Sequence, residues 1–62
     1  MTPKEKENLT AALVNLPLAR LAPILAKITD SELVNAAWHR ANQTGDRLRC
    51  QTLHRWLVQH RH

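Results

Sequence analysis

The sequence predicts an all-α domain: three main helices plus a short proline-bounded one, packed as a small bundle and completed by homodimerisation. Three observations lead there. Apolar residues recur at i, i+3, i+4 and i+7 in three separate stretches, the spacing that gathers them on one side of a helix. Helix-opening signals precede two of those stretches, Thr2-Pro3-Lys4-Glu5 and Thr29-Asp30-Ser31-Glu32. Pro17, Pro23 and the only glycine, Gly45, separate them. With 62 residues the chain makes one domain, and a chain of this size buries only about 60% of the surface its unfolded form exposes. A single cysteine allows no intramolecular disulfide, and no spacing suggests a structural zinc site. Oligomerisation is the remaining way to add stability. Phe and Tyr are absent, so the core comes from Leu, Ile, Val, Ala and two Trp.

The first helix opens with a capping box, Thr2 as N-cap, Pro3 at the first helical position and Glu5 three residues on. Leu9, Ala12, Leu13 and Leu16 form its apolar stripe, and Pro17 ends it, because a proline ring clashes one turn back and pushes the preceding residue out of the helical region. A helical turn from Pro17 is expected to give way to a short helix with Pro23 in its first turn and Ile24, Leu25 and Ile28 packed inward. Leu18, Leu21, Ile24, Leu25 and Ile28 are the densest apolar patch in the sequence. Short helices cannot cover every side of it, so Leu18, Leu21, Ile24 and Leu25 are expected to form a self-association surface; the competing reading is ordinary core.

Thr29 or Asp30 caps the next helix, expected from about Ser31 to Gln43. Its stripe is Val34, Ala37, Trp38 and Ala41 with Leu33 alongside. The alanines let a neighbouring helix approach closely, and Trp38 fills the space beside them. Gly45 suits a left-handed C-cap, and Asp46 caps the last helix.

That last helix, from Asp46 onward, organises the rest. Cys50, Leu53, Trp56, Leu57 and His60 fall on one side and must be buried. Arg47, Gln51, His54, Arg55 and Arg61 fall on the other, free to meet solvent, nucleic acid or an acidic partner. The net charge of +4 lies entirely in the second half. Up to Glu32, Lys4, Lys6, Arg20 and Lys27 balance Glu5, Glu7, Asp30 and Glu32. Beyond it, Arg40, Arg47, Arg49, Arg55 and Arg61 face Asp46 alone. Such asymmetry points to a surface for polyanions or an acidic protein, as well as being a common property of solvated helix faces.

Two helices around a glycine turn raise the question of a DNA-binding helix-turn-helix. Its pattern requires a small residue where Ala41 stands, which fits. It also requires apolar residues at the positions of Arg40, Thr44, Asp46, Gln51 and His54, all of which are polar, so any αα-hairpin explains the likeness. For DNA binding by another geometry, Arg47, Arg49, Gln51 and Arg55 are the candidate contacts. Cys50 and His54, one turn apart, are a weak metal signal even with His39, His60 and His62 nearby, since zinc takes four ligands; Cys50 reads as a small buried hydrophobe. No cofactor is implied. Each acidic residue has a capping or first-turn role, and so short a chain leaves no room for a substrate cleft, so no enzyme is expected. No apolar run approaches the roughly 18 residues of a membrane span, and MTPKEKEN lacks a signal-peptide core. A cytoplasmic protein with a reduced thiol is expected.

From Met1 through MTPKEKENLTAALVNLPLARLAPILAKITDSELVNAAWHRANQTGDRLR, the sequence resembles the small early-region proteins of lambdoid bacteriophages, encoded between the exonuclease and excisionase genes. The resemblance covers nearly the whole chain and carries over no functional residue. It implies a small protein made early after infection in the host bacterial cytoplasm, affecting host physiology or the choice between lysis and lysogeny by binding. The expected function is therefore that of a non-enzymatic accessory protein that binds a host or phage protein through the Arg face of its last helix. The alternative is a DNA-binding transcriptional regulator using the same face.

Overall fold

Thr2 starts the first helix as expected: its hydroxyl accepts from the Glu5 N–H at 3.2 Å, and Pro3 occupies the opening turn. The computed structural model describes residues 2–60, which form α1 (Pro3–Asn15), α2 (Leu18–Leu25), α3 (Ser31–Thr44) and α4 (Arg47–His60). No strand occurs among the described residues. The all-α bundle of three longer helices and one short one is thus the fold.

In α1 the buried line runs through Thr10 and Leu13, with Leu9, Ala12 and Leu16 half-buried beside it. Thr10 can sit inside because its hydroxyl donates to the Lys6 carbonyl at 2.7 Å. Leu16 adopts an extended conformation before Pro17, which closes α1 where the proline requires.

The segment after Pro17 departs from expectation. It is one helix from Leu18, with Pro23 in its second half rather than the first turn of a later helix. Pro23 is exposed, and so is Ala19, the residue whose carbonyl it cannot serve. The chain then leaves α2 through tightened turns, Lys27 N–H to the Ile24 carbonyl and Ile28 N–H to the Leu25 carbonyl. The four residues expected to form one self-association surface are also divided. Leu21 is fully buried and Leu25 nearly so, both in the chain's own core. That leaves exposed Leu18 and half-buried Ile24, which sit about 120° apart around the helix and make no single patch. The reason is that α2 has one strongly apolar side, and α4 covers it within the same chain.

Asp30, not Thr29, caps α3, its carboxylate accepting from the N–H groups of Glu32 at 3.0 Å and Leu33 at 3.4 Å. α3 buries Leu33, Val34, Ala37 and Ala41. Gly45 ends it at φ +77°, and the N–H of Asp46 reaches back to the Ala41 carbonyl at 3.1 Å, a left-handed glycine cap. α4 returns antiparallel along α3, as the pairing of Trp38 with His54 and of Asn42 with Cys50 shows. α2 runs parallel to α4, since Leu16 meets Arg49 at one end and Leu25 meets Trp56 at the other. The core gathers Leu13, Leu21, Leu25, Leu33, Val34, Ala37, Ala41, Leu53 and Trp56 from all four helices. No described helix is long and apolar enough to cross a membrane.

Candidate functional site

The outward face of α4 is set by what its inward face must do. Leu53 and Trp56 are buried, and the Trp56 indole N–H donates to the Leu25 carbonyl at 2.9 Å. One turn before Leu53, the inward position belongs to Arg49, which is 7% exposed. Pro17 creates the need for it. The Leu13 carbonyl would ordinarily accept from residue 17, which has no N–H, and the N–H of Arg20 bonds to Pro17 instead of to Leu16. Arg49 serves both orphans, donating to the Leu13 carbonyl at 2.7 Å and to the Leu16 carbonyl. Its Nε donates to Asp46 Oδ2 at 3.0 Å, so the buried charge is paired. The cation also meets the partial negative charge at the end of α1. Arg49 is therefore a structural residue and not an exposed nucleic-acid contact.

Asp46 completes this corner by accepting from the Arg49 backbone N–H at 3.2 Å, which caps α4. The hydrogen bonds from the Arg49 side chain and then from its N–H hold the Asp46 carboxyl below its ordinary range, against a smaller opposing effect of burial.

Arg47, Gln51, His54 and Arg55 are all exposed, as the sequence indicates. Arg61 lies outside the described residues. Next along the same surface, about one turn beyond His54 and Arg55, stands Val58, 57% exposed, with Leu48, 63% exposed, at the side nearer α2. His60, expected inward, is exposed and stacks on Trp56 with ring centroids 4.0 Å apart. Other cations of the second half are already engaged: Arg40 pairs with Glu7 on α1, and Arg49 with Asp46. Arg47 and Arg55 have no ion-pair partner among the described residues. Neither α2 nor α4 contains a single carboxylate. Four of the five acidic residues lie instead on α1 and at the start of α3, where Asp30 also meets Lys6 at 3.5 Å, and the fifth, Asp46, is held by Arg49 at the start of α4.

A shallow groove flanks this face along each neighbouring helix. Toward α3 it is lined by Trp38, Asn42, Cys50, Gln51 and His54. The half-buried Cys50 thiol sits 4.0 Å from both the Trp38 carbonyl and Asn42 Oδ1, and His54 lies over the Trp38 ring at 6.0 Å. Among the described residues no three potential ligands come together to hold a metal ion.

Two features escaped the sequence reading. One is Arg49, although its spacing of four from Leu53 and seven from Trp56 placed it on the buried side. The other is the pair of exposed apolar residues, Leu48 and Val58, which the same helical wheel sets outward. No protein-family model, curated protein or solved structure matches the chain. Its class rests on its architecture: a small all-α module with one layer, α2 and α4, free of carboxylates.

Proposed function

We propose that this protein acts by binding, not catalysis, and that the outer face of α4 receives an acidic segment of another protein. The observation that carries this reading is the exposure of Arg47 and Arg55 without an ion-pair partner among the described residues, on a helix that has no carboxylate and that sets Gln51 between them and Val58 about one turn beyond. Arginine is enriched at protein interfaces and among the residues that carry their binding energy. A DNA-binding face offers more cations. The two arginines that the described residues present on this face correspond to about two neutralised phosphates and a salt dependence of slope near −2, far below that of a tight DNA binder. Combined with the resemblance to lambdoid early-region proteins, the reading becomes that of a phage accessory protein in the host cytoplasm, binding a host or phage protein that bears on host physiology or the lysis-lysogeny choice.

The test compares a fluorescein-labelled acidic peptide with a labelled DNA duplex, each titrated by anisotropy at two salt concentrations. The peptide should bind, and Arg47→Glu/Arg55→Glu should abolish its binding while leaving the fold intact. A duplex that binds tightly at physiological salt, with a slope of several phosphates, would replace this reading with that of a transcriptional regulator.

A further inference from the structure

The carboxylate-free layer has a second concavity, along the seam between α2 and α4. We infer that this seam is a docking groove for an acidic amphipathic helix supplied by a different protein. The inference rests on the binding function proposed above and adds the shape of what is bound.

The groove holds about 290 Å³. Ala22 and Ala26 form its α2 wall, and Thr52, Arg55 and Gln59 its α4 wall, over a floor of Leu25 and Trp56. Because α2 and α4 run parallel, each wall is a helical line one turn per step, Leu18-Ala22-Ala26 and Leu48-Thr52-Arg55-Gln59. Ala22 and Ala26 on one line and Thr52 on the other are small enough to let a third helix approach and set its ridge between them. At the entrance the lines begin with Leu18 and Leu48, 39% and 63% exposed. They are two of the exposed large hydrophobics of the described residues. An apolar entrance, a small-residue trough and a cation on the rim are the elements of helix-in-groove recognition.

Charge selects among occupants. Arg55 on the α4 wall has no ion-pair partner among the described residues, and no carboxylate is present anywhere on α2 or α4. A second copy of this chain docking by the same seam would bring its own Arg55 and no anion to meet the first, so a symmetric pairing leaves both arginines uncompensated. A nucleic acid would satisfy Arg55 but has no use for Leu18, Leu48 and the alanine wall. An amphipathic helix with an aliphatic stripe flanked by Glu satisfies both. The groove spans about two helical turns, so the contact belongs to the small, transient class of interface.

The experiment uses the whole chain, 15N-labelled, and three synthetic helical peptides about four turns long. The first has leucines on one face and glutamates on its flanks. The second has the same composition with the leucines spread around the helix, and the third replaces Glu by Lys. The first peptide should bind at least about tenfold more tightly than the second, and the third should not bind. Amide shifts should move at Ala22, Ala26, Thr52 and Gln59. Ala22→Trp, which fills the trough from an exposed position, and Leu48→Glu should each abolish binding with an unchanged circular dichroism spectrum. Equal binding of both acidic peptides, with shifts confined to Arg47, Gln51 and His54, would overturn the groove and leave the α4 face as the binding site. Absence of binding by either acidic peptide would overturn the groove, and tight duplex binding in its place would overturn both readings. Concentration-dependent shifts at Ala22 and Thr52 without peptide would make the seam a self-interface and refute a foreign helix.

Discussion

Replacing Arg49 by Met would keep most of the side-chain volume while removing every donor, so it isolates what the guanidinium contributes. The loss leaves the Leu13 carbonyl, inside the bundle, and the Leu16 carbonyl without their partners, because Pro17 and the turn at Arg20 supply none. Each such carbonyl costs about 1–3 kcal/mol when deprived of its hydrogen bond. Together with the lost attraction to the end of α1, the change should destabilise the fold by about 3–5 kcal/mol. A core of this size supplies only about 3–5 kcal/mol in total, so Arg49→Met should be largely unfolded at 25 °C. Arg49→Lys retains the charge but reaches fewer acceptors from a single ammonium, and should lose about half as much. Helical circular dichroism without denaturant measures the folded fraction of the Met variant, and urea titration measures the parent and the Lys variant, with the m-value checking that unfolding remains two-state. A Met variant within about 0.5 kcal/mol of the parent would refute the reasoning, since it would mean that water serves these carbonyls equally well.

The remaining predictions separate fold from face. Asp46 has a depressed folded-state pKa, so its contribution is fully present above the unfolded value of about 3.9 and disappears as pH falls through the lower folded value. Acid titration of stability should therefore show less loss below about pH 4 in Asp46→Asn than in the parent. Gly45→Ala puts a side chain at φ +77° where nothing crowds its Cβ, so only backbone strain remains and thermal melts should show a loss of about 1–2 kcal/mol. Leu21→Asp should unfold the chain while Leu18→Asp stays folded, since the first is fully buried and the second 39% exposed; equal melting of the two would contradict the inward orientation of α2. Arg47→Glu/Arg55→Glu should change stability by less than about 0.5 kcal/mol in the same urea titration.

Local signals in the sequence determined most of the elements. Thr2, Asp30 and Gly45 mark helix ends through hydrogen bonds and a backbone conformation that involve only neighbouring residues, so the limits of α1 and α3 were readable from the sequence. The outward position of Arg47, Gln51, His54 and Arg55 followed from the helical period and the inward pull of Leu53 and Trp56. Three decisions belonged to the tertiary structure. Whether the apolar side of α2 would be covered by this chain or by another depended on where α4 lies, which no local pattern encodes, and α4 took Leu21 and Leu25 into the core. Pro23 could sit late in α2 because its side of the helix faces solvent, a fact of packing and not of propensity. Arg49 became a buried anchor because Pro17, thirty-two positions earlier, leaves carbonyls unsatisfied at the place where α4 passes. An arginine's charge says that it prefers water, and only the meeting of two distant segments supplies the acceptors that outweigh that preference.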